Sequence, residues 1–244
     1  MSNLYETQEL LTQYLLFHYG SGSDILPYDF GPKEGLYFPV RCISECVKIA
    51  GAKALDLGCA VGRSTFELSK YFNTVVGIDY SETFIDYANK IKNQKKLNFS
   101  IKEEGEVFRE VEVTLPSDLN PERVSFFHAD VQNLGEEFFS NDLVLAANLL
   151  CRLQKPKEFL ELTKDLVRVG GQLVLISPYS WLSEYTDPQH WFSAKGSSEE
   201  RIIEILSDSF ILKFKKELPF LIREHSRKFQ WGVSQALIFE RRAS

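Results

Sequence analysis

The stretch that decides the fold is Ala54-Leu55-Asp56-Leu57-Gly58-Cys59-Ala60-Val61-Gly62-Arg63-Ser64. An apolar run of strand type leads into two glycines, and the start of a helix follows them. Glycine has no Cβ to block a ligand and tolerates positive φ, so backbone at Gly58 and Gly62 can approach a bound molecule closely. About 20 residues later the next strand, 75–79, ends in Asp79, which is suited to gripping ribose hydroxyls. The pattern therefore predicts an α/β domain that binds a nucleoside.

Length and composition limit the function classes. The chain has 244 residues, of which 44% are hydrophobic and 25% are charged, and its net charge is -6. These values are ordinary for one α/β domain with additions, and the negative charge gives no overall attraction to nucleic acid. No run has the length of a membrane span, and residues 1–8 show no secretory pattern. We expect a single cytoplasmic domain over residues 1–244, without nucleic-acid or membrane partners.

The four cysteines, Cys42, Cys46, Cys59 and Cys151, form no CxxC pair. Cys42 and Cys46 are spaced to share one helix face. Packing in the core is the favoured interpretation and a metal pair is the alternative, because no nearby histidine completes a zinc site.

Strand-like and helix-like segments alternate along the core. The predicted strands are 54–57, 74–78, 124–128, 143–147 and 172–177, and the predicted helices between them are 63–71, 83–93 and 156–168. Such alternation implies a parallel sheet that is covered on both faces.

Three segments lie outside this alternation. Helices over 4–19 and 40–50 predict an N-terminal helical cap (1–51) in front of the core (52–244). Residues 97–115 alternate as a strand does, which predicts a β-hairpin within an insertion at about 93–121. Strands at 210–218 and 235–240 flank a long connection and predict an antiparallel edge pair. The whole predicts a Rossmann-like, seven-stranded, mostly parallel sheet with an antiparallel terminal hairpin.

The glycine loop alone does not distinguish a dinucleotide site from other nucleoside sites. A dehydrogenase fingerprint has Gly-x-Gly-x-x-Gly and a helix N-terminus facing a pyrophosphate. Here Ala60 stands where a middle glycine is common, and Asp56 stands two residues before Gly58. This loop and the strand plan resemble those of class I methyltransferases, which implies S-adenosylmethionine as cofactor. Asp56 and backbone groups of the loop would then bind the sulfonium cation and the zwitterionic amino-acid group of this cofactor.

The same resemblance assigns further cofactor contacts. Asp130 closes the third core strand, where the family typically places an acid beside the adenine amino group; a turn or helix-cap role is the alternative. Asn148 follows the fourth strand, where donor and acceptor meet. The residues predicted to hold the cofactor are Tyr14, Arg41, Asp56, Gly58, Cys59, Gly62, Asp79, Tyr80, Asp130, Val131 and Asn148.

The segment after the fourth strand weakens two nucleic-acid classes. Residues 146–151 are not the Asn/Asp-Pro-Pro-Tyr/Phe of nucleic-acid amino methyltransferases. Cytosine-C5 enzymes have a proline before their cysteine, whereas Leu150 precedes Cys151 here.

Four unusual strings carry a closer resemblance. They are Tyr14-Leu15-Leu16-Phe17-His18-Tyr19-Gly20, Phe38-Pro39-Val40-Arg41-Cys42, Ala146-Ala147-Asn148-Leu149-Leu150-Cys151-Arg152-Leu153 and Leu218-Pro219-Phe220-Leu221-Ile222-Arg223-Glu224-His225-Ser226-Arg227-Lys228-Phe229-Gln230-Trp231. They resemble the methyltransferase of ovothiol biosynthesis, in many organisms the C-terminal domain of a bifunctional enzyme. The resemblance runs over nearly the whole chain. It implies a stand-alone N-methyltransferase that acts on Nπ of 5-thiohistidine (4-mercaptohistidine), after an upstream sulfoxide synthase and lyase.

A zwitterionic amino acid with an anionic sulfur needs cations and hydrogen-bond donors. Arg41, Arg152 and Arg223 lie in apolar strings, where an unpaired arginine is costly. Carboxylate capture and internal ion pairing (Arg223 with Glu224 or Glu217) both remain open. His18 and His225, the two histidines of these strings, are each either a general base or a structural residue. Tyr179 and Trp181, which follow the fifth strand, either line the pocket for the imidazole or pack against other side chains. The predicted catalytic residues are Asn148, Tyr179 and His225, and the predicted substrate-binding residues are His18, Arg152, Tyr179, Trp181, Arg223, Glu224 and His225.

The predicted substrate implies one mutational effect, and three other functions are alternatives to it. We expect Arg223→Ala to disrupt regiochemistry as well as affinity. The first alternative is a class I methyltransferase that acts on another small metabolite. The others are a donor-binding scaffold without catalysis and an RNA-modifying enzyme, which the acidic balance and the missing motifs disfavour.

Overall fold

The computed structural model describes residues 7–243, except the side chain of Lys195. The strands are β1 Gly51–Leu57, β2 Phe72–Asp79, β3 Lys96–Glu104, β4 Val107–Thr114, β5 Val124–His128, β6 Asn141–Ala147, β7 Val167–Ser177, β8 Phe210–His225 and β9 Lys228–Arg241. The α-helices are α1 Gln8–Tyr19, α2 Gly22–Ile25, α3 Phe38–Cys46, α4 Arg63–Leu68, α5 Glu82–Gln94, α6 Pro156–Leu166 and α7 Ser198–Leu206.

Seven of these strands form one sheet in the order β5-β2-β1-β6-β7-β9-β8. The first five in that order run parallel, whereas β9 is antiparallel to both β7 and β8. This is a Rossmann-like, seven-stranded, mostly parallel sheet with an antiparallel terminal hairpin, and it confirms the predicted fold class. Since the parallel strands share a direction, their carboxyl ends and the loops that follow meet at one edge.

Helices cover both faces of the sheet because each face carries apolar side chains. Phe66 of α4 and Phe84 of α5 pack on one face together with α1 and α3, where Cys42 and Cys46 have no exposed surface. Phe159 of α6 packs on the other face, beside α7. The described cysteines are free and buried, as the packing interpretation expects. Within residues 7–243, no helix combines the length and the apolarity needed to cross a membrane.

The two N-terminal helices differ from their predicted bounds. The first occupies Gln8–Tyr19, and predicted positions 4–6 lie outside the described residues. The second spans Phe38–Cys46 and not 40–50. It ends early because the Gln172 side chain accepts the Lys48 N–H (3.2 Å) and donates to the Cys46 carbonyl (3.1 Å).

The predicted inserted hairpin is confirmed. Strands β3 and β4 form a separate antiparallel pair in which Phe99 faces Val111 and Ile101 faces Arg109. Its end supports the tip of β8, because Ser226 donates its backbone N–H to the Glu103 carbonyl (3.1 Å).

The predicted long connection at 219–234 is wrong. Strand β8 continues to His225, β9 begins at Lys228, and Pro219 stays in register opposite Val233. The pairing persists because loops and helices cover this part of the ladder; Gly35 packs directly against the backbone of Phe220. Strand β7 ends where Ser177 faces Gln235, so the hairpin projects past the carboxyl edge of the sheet.

Candidate functional site

The glycine loop after β1 is held in an unusual backbone conformation. Gly58, Ala60 and Gly62 have φ values of 71°, 47° and 88°. The N–H groups of Gly58 and Cys59 both donate to the Ile78 carbonyl, at 2.8 and 3.0 Å. These bonds fasten the loop to the end of β2 and bury Cys59, which is 1% exposed.

Neighbouring side chains press on the loop where it has no side chain of its own. A Cβ on Gly62 would stand 2.5 Å from the Phe126 ring, and a Cβ on Gly58 would stand 3.1 Å from Leu149. Real Cβ atoms do not approach a ring atom so closely. The two glycines therefore let Phe126 and Leu149 pack against bare backbone at the carboxyl edge of the sheet, and this loop, residues 58–62, is called the cradle.

Asp56 supports this loop from within the protein. Its buried Oδ2 accepts the hydroxyls of Ser64 and Thr65, each at 2.7 Å. Burial raises the pKa of Asp56 to about 6, although both hydroxyl bonds act in the opposite direction. The structure thus uses this carboxylate to fix the start of α4, a positioning role in place of the predicted direct contact with a ligand.

Asp79 joins the glycine loop to the next helix. Its Oδ2 accepts the Ala60 N–H at 2.8 Å, and its Oδ1 accepts the Ser81 N–H at 2.9 Å. Tyr80 beside it is 65% exposed, and its ring meets that of His128 edge to face at 6.1 Å. A carboxylate next to an exposed aromatic ring suits a ribose joined to a flat base.

Asp130 adopts the turn role that the sequence left open. Its Oδ1 accepts the Gln132 N–H (2.9 Å), and its Oδ2 accepts from the Asn133 amide (2.8 Å). Val131, which follows it, is buried. Both residues lie after β5, next to β2 in the sheet, so they flank the Asp79 end of the cradle.

Helix α1 closes on the loop from above. The Tyr19 hydroxyl donates to the Val61 carbonyl at 2.7 Å, and the Arg63 N–H donates to His18 Nδ1 at 3.3 Å. Tyr14 stacks on His18, with ring centroids 6.0 Å apart, and contacts Phe84 at 4.9 Å. The cap and the cradle are thus one packed unit.

His18 is neutral in this arrangement. Burial, followed by the charge of Arg63, lowers its pKa to about 3. Because Nδ1 accepts a backbone N–H, the ring proton resides on Nε2. A histidine that is protonated at Nε2 and engaged at Nδ1 has no free lone pair, so the geometry favours the structural alternative over the base.

Asn148 lies between the cradle and the terminal hairpin. Its φ is 55°, a left-handed value that asparagine tolerates better than most residues. Its N–H donates to the Ile176 carbonyl (2.7 Å), and its Oδ1 accepts the Ser234 hydroxyl (2.8 Å). Leu149, the next residue, is the side chain that packs on Gly58. The structure therefore brings this predicted residue directly to the cradle.

Tyr179 occupies a similar position one strand further along. Its φ is 53°, and its hydroxyl donates to Gln235 Oε1 at 2.8 Å. Burial and the charges of Glu199 and Glu217 raise the pKa of Tyr179, so the phenol stays protonated. Ser234 and Gln235 carry no local sequence signal, and Ser234 fell within the predicted connection.

Trp181 takes the packing alternative. It is 9% exposed, and its indole N–H donates to Ser198 Oγ at 3.0 Å. Its ring meets Phe192 edge to face at 5.4 Å. These contacts fasten the segment after β7 to the start of α7.

Two of the predicted arginines serve internal contacts. Arg41 pairs with Glu45 at 2.7 Å and donates to the Pro219 carbonyl at 3.0 Å, which joins the cap to the hairpin. Arg152 donates to the Ser180 carbonyl at 2.8 Å and lies over the Tyr185 ring at 5.1 Å.

Arg223 forms an internal ion pair, but with neither Glu224 nor Glu217. Its Nη2 lies 2.6 Å from Glu103, and its Nη1 donates to the Asp24 carbonyl at 2.6 Å. The side chain is 1% exposed, and Nε is buried without a hydrogen-bond partner among the described residues. The partner comes from the inserted hairpin, which sequence spacing could not indicate.

The other predicted residues of this segment also have local partners. Glu224 pairs with Lys228 at 2.6 Å and accepts from Gln230 at 3.1 Å. His225 Nδ1 accepts the Arg227 N–H at 3.3 Å within the turn between β8 and β9.

A cavity of about 470 Å³ lies beside this tip. It lies between α1, the inserted hairpin and β8, and its lining includes Thr12, Leu16 and Arg223. Residues two apart on a helix point about 200° apart. Tyr14 and His18 therefore face the cradle from the opposite side of α1, and the structure does not bring Arg223 to the cradle.

This geometry gives a prediction for Arg223→Met. Removing one member of a largely buried ion pair is expected to lower the free energy of unfolding by about 2 kcal/mol, since Glu103 keeps partial access to water. Urea denaturation measures this loss. If the chain transfers a methyl group, as the resemblance implies, the methylated position is expected to stay unchanged, and a shifted methyl group in the NMR spectrum would restore Arg223 to the acceptor site.

The comparisons with known proteins agree with this geometry. Residues 55–175 match the family described as Methyltransferase domain. A probable S-adenosylmethionine-dependent methyltransferase, CRG1 of Saccharomyces cerevisiae, is 31% identical over 27% of this chain and 23% of its own length. The ubiquinone biosynthesis O-methyltransferase of Coxiella burnetii is 24% identical over 55% of this chain and 48% of its own. The chain thus spans half or less of the length of these relatives.

The structure of the N-methyltransferase NodS from Bradyrhizobium japonicum WM9, in complex with S-adenosyl-L-homocysteine, is similar in fold. It superposes with a TM-score of 0.52 and 15% identity, over 83% of each chain. Residues 55–175 therefore match a methyltransferase domain, and the chain has the Rossmann-like fold of methyltransferases.

Proposed function

We propose that this chain transfers a methyl group from S-adenosylmethionine to Nπ of 5-thiohistidine, the last step of ovothiol A biosynthesis. One observation carries the proposal. The family-like string that begins at Ala146 packs against the cradle, with Leu149 on Gly58 and Asn148 hydrogen-bonded to Ser234. The residues that resemble ovothiol methyltransferases thus stand where donor and acceptor would meet.

The residues present fit the cofactor. The loop backbone carries no side chain at Gly58 and Gly62, Asp79 and Tyr80 suit the ribose and adenine, and Tyr19 of α1 fixes the loop through the Val61 carbonyl. When bound, S-adenosylmethionine supplies an electrophilic methyl group on a sulfonium. No pyrophosphate is involved, which agrees with a loop whose first two N–H groups are already bonded to Ile78.

The acceptor poses a selectivity problem that the site has to solve. A thiolate is the softer and stronger nucleophile toward a methyl sulfonium, so the pocket must present nitrogen and hold sulfur away. Positioning can supply about 7–11 kcal/mol of the barrier reduction. Asn148 and Tyr179, both held in left-handed backbone by the strand ends, are the side chains that we assign to this positioning.

The pathway context follows from the substrate. An upstream sulfoxide synthase and a lyase must install the carbon–sulfur bond before this step, and we place the protein with them in the cytoplasm. The wider class of small-metabolite methyltransferases is the alternative, because the relatives with O-methyl and N-methyl activity share the same domain.

The test is direct methylation. Purified protein is incubated with S-adenosylmethionine in three separate reactions, in which the acceptor is 5-thiohistidine, histidine or ergothioneine. The products are analysed by mass spectrometry and NMR. We expect Nπ-methyl-5-thiohistidine, and no product from Asp79→Asn, whose amide oxygen can accept only one of the two backbone N–H groups while its NH2 group opposes the other. Transfer only to another metabolite would support the alternative, and S-methylation would contradict the proposed regiochemistry.

A further inference from the structure

Gln235 of β9 is surrounded by groups that leave its side-chain amide one orientation. Its Nε2 lies 2.9 Å from Glu199 and 3.1 Å from Glu217, and its Oε1 lies 2.8 Å from the Tyr179 hydroxyl. Lys215 holds the other oxygen of Glu199 at 2.7 Å. Carboxylates accept hydrogen bonds and do not donate them, so the amide nitrogen must face the two glutamates.

This orientation determines the polarity of Tyr179. With its nitrogen on the carboxylates, Gln235 presents only a carbonyl oxygen to the phenol, so the phenol has to donate its proton there. Any other group that meets Tyr179 Oη then meets lone pairs. Lys215 and Glu199 keep the amide from turning, because reversal would place an oxygen against a carboxylate.

We infer that Gln235 is a positioning residue, which makes Tyr179 accept a hydrogen bond from the N–H of the acceptor ring and thereby selects the reactive imidazole tautomer. The inference rests on the proposed function. In a neutral imidazole one nitrogen carries the proton and the other carries the lone pair. Holding the proton on the far nitrogen leaves the lone pair on the nitrogen that is to be methylated.

The step balances without a catalytic base. The acceptor nitrogen uses its lone pair to form the N–CH3 bond while the CH3–S bond breaks, and the positive charge passes from the sulfonium to the imidazole ring. The far N–H stays in place, bonded to Tyr179 Oη, and the thiolate of the substrate neutralises the ring charge. This accounts for a site in which His18 is engaged at Nδ1 and His225 lies in the hairpin turn.

Two neighbouring side chains of β9 form hydrogen bonds on opposite faces of the strand. Side chains alternate along a strand, so Ser234 and Gln235 point to opposite faces. Ser234 holds Asn148 on one face and Gln235 holds Tyr179 on the other. Asn148 follows β6 and Tyr179 follows β7, so an acceptor that contacts both side chains would have to sit past these strand ends, at the edge where the two faces meet.

The experiment is a double-mutant cycle on Gln235→Leu and Tyr179→Phe. Gln235→Leu is expected to raise the KM for 5-thiohistidine about tenfold, the size of one hydrogen bond, and to lower the ratio of N-methyl to S-methyl product. Affinity for S-adenosylhomocysteine is expected to stay within about twofold. In the Tyr179→Phe background, Gln235→Leu should change neither the KM nor the product ratio further.

Gln230→Leu is the matched control, because Gln230 lies on the same strand and also donates to a carboxylate, Glu224. It should leave both readouts unchanged. An unchanged KM and product ratio in Gln235→Leu overturns the inference alone, and so does an effect that persists without the Tyr179 oxygen. No turnover of 5-thiohistidine by the unsubstituted protein overturns the proposed function, and the inference with it.

A second variant covers the case in which Gln235→Leu does not fold. Glu199→Gln removes one of the two carboxylates that orient the amide and keeps the side-chain shape. It is expected to shift the product ratio in the same direction, by a smaller factor. A product ratio equal to that of the unsubstituted protein would contradict the proposed role of Gln235.

Discussion

Gly62→Ala is expected to abolish donor binding and to lower the free energy of unfolding by about 3 kcal/mol. Gly62 has a φ of 88°, which alanine adopts only with strain. The added methyl would also stand 2.5 Å from the Phe126 ring and 3.3 Å from Ala88. Since the ring packs under the cradle between β2 and β5, relief of the clash would have to displace the loop that holds the nucleoside.

Gly105→Ala is the control variant, because it introduces backbone strain without a steric clash. Gly105 has a φ of 50° and lies in the turn of the inserted hairpin, where a Cβ would meet nothing within 4 Å. Its substitution is expected to cost about 1 kcal/mol and to leave donor affinity unchanged. Urea denaturation and calorimetric titration with S-adenosylhomocysteine measure both quantities. If Gly62→Ala were no less stable than Gly105→Ala, the close packing of the cradle would be refuted.

The parts of the fold that sequence predicts well are those whose signals are local. The apolar run before Gly58 and the carboxylate of Asp79 each follow from residue type and spacing, and β1 and β2 stand where these signals place them. The same holds for the inserted hairpin, whose alternation is visible without knowledge of its surroundings. Local patterns suffice here because each element meets the sheet or water on defined faces.

The parts that sequence does not predict depend on distant partners. Pro219 and Gly232 interrupt the strand pattern, and only the covering cap and loops keep β8 and β9 paired there. Arg223 finds its carboxylate on β3, and its burial could not be read from neighbouring residues. Gln235 has no motif of its own, since its role depends on which groups three other elements bring to it.

His18→Asn and Asp56→Asn are expected to change the pH dependence of stability in opposite directions. His18 has a pKa of about 3 in the folded protein, against 6.5 ordinarily. Below pH 6.5 the unfolded chain takes up a proton at this histidine and the folded chain does not. The contribution of His18 to the free energy of unfolding is therefore complete above pH 6.5 and is lost as the pH falls. Between pH 6.5 and 4.5 the loss is about 2 kcal/mol.

Asp56 contributes the opposite slope. Its folded pKa of about 6 lies above its ordinary value of 3.8, so between these values the folded chain keeps a proton that the unfolded chain has released. Stability from this group therefore rises as the pH falls through 6, by about 2 kcal/mol at pH 4.5. In the unsubstituted protein the two groups largely offset each other, although both lie beside the same loop.

Both variants retain a carbonyl oxygen where the native acceptor atom stands, so the hydrogen bonds from Arg63, Ser64 and Thr65 have a partner. Urea unfolding at pH 4.5, 5.5 and 6.5 is expected to show His18→Asn gaining stability on acidification relative to the unsubstituted protein, and Asp56→Asn losing it. Every other titrating group is common to the variants, so the differences between curves isolate these two sites. Parallel curves would mean that neither His18 nor Asp56 is desolvated in the folded protein, and the close packing of the cap on the cradle would then be wrong.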